Sequence, residues 1–116
     1  MAIKDYEDLY QQLQGLIGRL GTDVPDAMRG FAQLHKGALA DGALSKATKE
    51  LIALGIGIVV RCDGCIAYHV HDALKAGATR QEVLETIGVA VMMGGGPSVV
   101  YGCDALTALD EFETAL

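Results

Sequence analysis

The sequence predicts an all-α domain of about six helices, and three observations predict it. Apolar residues make up 51% of the chain while aromatics make up 5% with no Trp, so the core must be built from Ala, Leu, Ile, Val and Met. Apolar positions recur at three- and four-residue spacing over most of the length, the period of a helix with one buried face. Gly, Pro and capping residues separate these stretches. One short run, IGIVV, fits a buried strand locally, but the helical segments on either side argue against it. At 116 residues the length supports one domain, 1–116, with a single core.

The first helix is expected from Tyr6 to Leu20, with Leu9, Leu13, Leu16, Ile17 and Leu20 on one face and Gly21 as its stop. Thr22 or Asp23 is expected to cap the second helix and Pro25 to occupy its first turn, with Met28, Phe31, Leu34 and Leu39 as its apolar side. ADGAL then forms a turn. Ser45 suits the N-cap of a third helix that is apolar on nearly all sides after Glu50, the pattern of a central helix. Gly55 and Gly57 within it imply close approach of another backbone. RCDG interrupts the pattern, and CIAYHVHDALKAG resumes it until Gly77 ends the fourth helix. Thr79 and Glu82 have capping-box spacing, so the fifth helix begins at Arg80. GGGPS breaks the chain before a last helix, opened by Pro97, with Tyr101, Leu106, Leu109 and Phe112 along its face. The apolar excess in so small a chain points to surface buried between subunits.

Composition narrows the function classes. A net charge of -6 and a pI near 4.8 leave no basic stripe, so nucleic acid is not an expected partner. The start, MAIKDYEDLY, carries acids where a signal peptide needs a basic and then an apolar stretch. The longest apolar run, Leu51 to Val60, is about half of what spans a bilayer. The expectation is a soluble, cytoplasmic protein with no membrane partner. Three cysteines in a reducing compartment make a CxxC pair catalytic or metal-binding rather than a structural staple.

The pair is Cys62 and Cys65 in CDGCIAYH. In a helix starting near Asp63, Cys65 and His69 are four apart and share a face, and Cys62 folds over the same end within disulfide reach. Unpaired amides at a helix N-terminus stabilise a thiolate. With a neighbouring His, such settings move a cysteine from about 8.5 to roughly 3.5–7.5. Asp63 opposes this and Arg61 offsets it. A zinc site would use Cys62, Cys65, His69 and His71, but two histidines two residues apart lie about 200° apart around a helix and cannot face one ion. Cys103 and His35 supply no paired spacing, so neither metal nor cofactor is expected. Read alone, Glu50 is an ordinary exposed acid early in a helix. Cys103 reads as a buried small hydrophobe, His35 and His71 as structural or surface residues, and Tyr68 as packing or a pocket flank.

KELIALGIGIVVRCDGCIAYHVHDALKAGAT and EVLETIGVAVMMGGGPSVVYGCDALTALDEF together resemble the carboxymuconolactone decarboxylase and alkylhydroperoxidase D-like family, in its CxxC-containing dithiol branch. The resemblance implies an all-α domain assembling as a homo-oligomer, a trimer or hexamer. It also implies a proton relay of Glu50, Cys62, Cys65 and His69, which replaces the bland reading of Glu50. The expected activity is a peroxide or disulfide reductase acting on an organic hydroperoxide or protein disulfide, re-reduced by a lipoyl or thioredoxin-like donor. Which cysteine attacks first stays open. One departure is Gly64, where the members best matched to peroxide reduction place a His, and this weakens the expectation of efficient peroxidase activity. The alternatives are a carboxymuconolactone decarboxylase-like lyase, whose branch does not work through CxxC, and a non-enzymatic redox-sensing oligomer.

Overall fold

The computed structural model describes residues 4–116. It contains six helices and, among the described residues, no strand: α1 (Tyr6–Asp23), α2 (Pro25–Leu39), α3 (Lys46–Val59), α4 (Asp63–Lys75), α5 (Arg80–Gly94) and α6 (Gly96–Ala115). Helix α3 packs against α4, α5 and α6, and α4 also lies along α6. The first helix crosses α4 and α6, while α2 touches only α1 and α3. Leu54 and Ile58 of α3, Ile66, Ala67 and Val70 of α4, Val83 and Ala90 of α5, and Ala105, Ala108, Leu109 and Phe112 of α6 form the core, closed by Tyr6.

Most boundaries follow local chemistry. The Ser45 side chain accepts a hydrogen bond from the Thr48 amide at the start of α3. Thr79 and Glu82 make a reciprocal capping box at the start of α5, as the spacing requires. After α4 the chain closes in a Schellman motif, with Ala78 N–H donating to Ala73 C=O and Gly77 N–H to Leu74 C=O. Gly77 takes φ +102°, one residue beyond the cap at Ala76. Only a residue without Cβ holds that conformation cheaply.

Several expectations are corrected. Helix α1 runs through Gly21 to Asp23, because one glycine costs only about 1 kcal/mol and the turn ahead of Pro25 is the stronger stop. Neither Thr22 nor Asp23 caps α2; Val24 holds that position with no side-chain bond, and Pro25 opens the helix. No residue of α2 is fully buried: Met28 and Leu39 of its apolar face are half-buried, and Phe31 and Leu34 are exposed. Leu16, Ile17 and Leu20 of α1 are exposed too, as is Leu106 of α6. Although α3 is central, Ile52, Ile56, Val59 and Val60 on its outer side face solvent. The last helix starts at Gly96, one residue before Pro97. Cys103, expected inside, is an exposed free thiol, because α6 turns Gly102, Asp104 and Ala105 inward around it.

Candidate active site

The site forms where α3 meets the first turns of α4. Between them the chain makes another Schellman closure, with Cys62 N–H donating to Gly57 C=O and Arg61 N–H to Ile58 C=O. Arg61 occupies the left-handed position at φ 61° that glycine usually fills. Cys62 thereby closes α3 and caps α4 in a single residue. Its sulfur accepts a hydrogen bond from the Cys65 amide at 3.1 Å, one of the unpaired donors of the helix start. Cys62 and Cys65 are joined as a disulfide with Cα atoms 5.2 Å apart, and both are half-buried.

Two α3 residues seven apart face two α4 residues four apart. At one end, a Cβ added to Gly57 would lie 2.9 Å from Cys65 Cβ, so the glycine is what lets the dithiol helix seat against α3. This fulfils the expectation of close approach at Gly57 but not at Gly55, where an added Cβ meets only the Thr86 methyl at 3.7 Å. At the other end, His69 Nδ1 lies 2.8 Å from Glu50 Oε1. Glu50 is 1% exposed, which overturns the reading of it as an exposed acid early in the helix. When a neutral imidazole donates Nδ1–H to this carboxylate, the tautomer leaves the Nε2 lone pair free. Cys65 and His69 are one helical turn apart, a rise of about 6 Å along the axis, a gap that a water can bridge.

The structure thus places all four sequence-derived residues, Glu50, Cys62, Cys65 and His69, along one α3–α4 seam. His71 points elsewhere: its ring stacks on Tyr10 at 4.1 Å between centroids, and Nδ1 contacts Asp72 at 2.8 Å. Tyr68 packs on Tyr10 at 4.8 Å. Among the described residues no group of three or more His, Cys, Asp or Glu side chains is arranged to hold a metal ion. Gly64 lies under α1, where an added Cβ would come 3.0 Å from Leu13 Cδ1; a histidine there would have to displace that leucine.

Two features escaped the sequence. Arg61 does not balance Asp63; it is exposed, and the ion pair is made by Lys4, whose Nζ lies 2.9 Å from both Asp63 oxygens. Buried Asp104 lies 3.5 Å from the same ammonium. No spacing rule links positions so distant in the chain. The signal available was the improbability of an acid inside the small-residue stretch GCDAL.

A model of the carboxymuconolactone decarboxylase family matches residues 25–108. The chain belongs to that family. Carboxymuconolactone decarboxylase family proteins similar to it include one from Legionella pneumophila with a crystal structure, which superposes with a TM-score of 0.89 at 42% identity over 92% of this chain and 96% of that one. A Paracoccus denitrificans protein, uncharacterized protein 4 in the cox locus, is 41% identical over 101 residues, 87% of this chain and 88% of its own length. More distantly, alkyl hydroperoxide reductase AhpD from Anaeromyxobacter is 26% identical over 93 residues, 79% of this chain but 47% of that protein. The family assignment agrees with the resemblance drawn from the CxxC region, and the six-helix architecture agrees with the Legionella fold.

Proposed function

We propose that the protein is a thiol-dependent oxidoreductase, a peroxide or disulfide reductase that cycles Cys62 and Cys65 between dithiol and disulfide. The observation that carries this reading is the buried Glu50 bonded to His69 on the same α3–α4 seam as the Cys62–Cys65 pair. A carboxylate costs several kcal/mol to bury without compensation, and among the described residues its hydrogen-bonded side-chain partner is the imidazole that shares a helix face with Cys65. The similarity to AhpD supports the same chemistry.

In the reduced protein the Cys65 proton passes to His69 Nε2, directly or through water, while Glu50 stabilises the imidazolium that results. The Cys65 thiolate attacks the terminal peroxide oxygen; the O–O bond breaks, an alcohol leaves, and Cys65 becomes a sulfenic acid. Cys62 then attacks that sulfur, forming the disulfide and releasing water. The sum is hydroperoxide plus two thiols to alcohol, water and one disulfide. With a protein disulfide as oxidant, the same thiolate displaces a partner thiol through a mixed disulfide. A small dithiol of lipoyl type or a thioredoxin-like protein returns the site to its reduced form. We also place the working unit in a homo-oligomer, a reading supported by the exposed Ile56, Val60, Val89, Met92 and Met93 on α3, its C-cap and α5. Among the described residues no helix is long and apolar enough to cross a membrane.

The test is a thiol count by mass spectrometry before and after one equivalent of an organic hydroperoxide, with Glu50→Gln alongside. Two thiols should disappear together, more slowly by about 10- to 100-fold in the variant, a usual range for a proton-transfer group. Persistence of both thiols towards hydroperoxide and towards a reactive disulfide rejects the reading. Activity on a lactone acid surviving Cys62→Ser/Cys65→Ser would favour the decarboxylase-like lyase instead.

A further inference from the structure

We propose that Lys4 is a positioning residue for the dithiol, holding the Asp63 carboxylate in an ion pair so that its charge does not oppose the thiolate beside it. The inference rests on the dithiol reading above and extends it to a residue 58 positions before Cys62, just ahead of α1.

Asp63 is the first residue of α4 and lies between Cys62, the cap, and Cys65, whose amide donates to the Cys62 sulfur. Its carboxylate therefore competes with a thiolate for the same positive helix end. Lys4 Nζ sits on both Asp63 oxygens at 2.9 Å and reaches Asp104 Oδ2 of α6 at 3.5 Å. The Tyr101 ring lies 5.6 Å below the ammonium. One cation thus ties the start of α1, the dithiol helix and α6 together. The Asp63 hydrogen bond, with help from the nearby charges, raises the lysine above its usual range despite partial desolvation, which keeps it cationic.

The other charged or titratable groups around the dithiol and its ion pair are Glu50 on α3, His69 on α4, Arg61 in the connection, and Asp5 and Asp8 at the start of α1, which line one pocket with Lys4 and Asp63. From α1 the dithiol turn itself meets apolar Leu13 at Gly64, and among the acids of that side, Asp5, Asp8 and Asp63, Lys4 is the cation. The Lys4–Asp63 pair is half-exposed, with side-chain exposures of 38% and 41%. Pairs of this kind add little to stability, so the consequence falls on local charge. Lys4, Asp63 and Asp104 sum to one net negative charge; neutralising Lys4 makes it two, and neutralising Asp63 as well restores one.

The experiment measures iodoacetamide alkylation of the reduced protein against pH in a Cys103→Ser background, with folding checked by circular dichroism. Lys4→Met should move the thiol midpoint upward by on the order of half a pH unit, the effect of one charge at this range in a half-exposed setting. Lys4→Arg should keep it in place. Lys4→Met/Asp63→Asn should return it to the wild-type value, a recovery that mere anchoring of the N-terminus would not give. An unchanged midpoint in Lys4→Met, or a raised one that the double variant does not recover, overturns the proposal. Should Lys4→Met not fold, Lys4→Gln takes its place, alone and with Asp63→Asn, and the same outcomes support or overturn the proposal. Alkylation needs no oxidant, so a failure here is distinguishable from a failure of the reductase reading, which shows as thiols inert to hydroperoxide and disulfide.

Discussion

Tyr10 shows how one side chain on α1 carries several contacts. Its ring stacks on His71, tilts against Tyr68 and meets Phe112 edge-on. Burial, and then the charges of Asp72 and Tyr68, push its hydroxyl up to about 12. Tyr6, fully buried with an unpartnered hydroxyl beside Asp104, is pushed further still. An unfolded tyrosine ionises near 10, so the contribution of Tyr10 to stability is whole below about pH 10 and is lost as pH rises through its folded value. Phenolate absorbance should therefore lag in the native protein, and Tyr10→Phe should raise the pH of alkaline unfolding. Titration of Tyr10 near 10 in the folded chain would refute this. Glu50 poses the opposite case for sequence reading: its position early in α3, at the edge of the apolar run, suggested water, and the packing of α4 over α3 puts it inside.

Between helices, the α3–α4 seam depends on Gly57. Gly57→Ala places a methyl group 2.9 Å from Cys65 Cβ and should cost about 1–3 kcal/mol, as overpacking of a tight site does. Gly55→Ala, with its nearest neighbour at 3.7 Å, should be neutral or gain up to about 1 kcal/mol of helix propensity. Urea midpoints of the two variants separate them, and equal midpoints would contradict the seam. The sequence already distinguished helices from breaks here, because Ser45, Thr79 and Gly77 act through neighbours three to five residues away. It also held the CxxC start of α4 and the Cys65–His69 face. It did not hold the α1–α2 join, where proline geometry outweighed side-chain caps, or the ion pair of Lys4 with Asp63, which exists only once distant elements meet. Cys103 was misplaced for the same reason: a small residue within an apolar helix has no signal for which side faces out.

At the scale of the molecule, many of the exposed apolar residues fall in two regions, apart from Val99, Val100 and Leu106 on α6. One is an apolar groove of about 570 Å³ between α3 and α5, lined by Ile52, Ile56, Val59, Val60, Val89 and Met93; the other is the open face of α1 and α2 with Leu16, Leu20, Phe31 and Leu34. Exposure on this scale is unusual for a lone subunit. Ile56→Asp leaves the core of its own chain alone, since the side chain is 59% exposed, and should convert an oligomer to a 12.2 kDa monomer in size-exclusion chromatography with light scattering. A wild-type protein already monomeric would refute the assembly. Helix α2 carries the further consequence. It has 15 residues and buries none of them, and a helix of that length is marginal in water on its own. Its folding is therefore coupled to the contacts it makes with α1 and α3, so a substitution that loosens them should be felt as lost helix in a segment that holds none of Glu50, Cys62, Cys65 or His69.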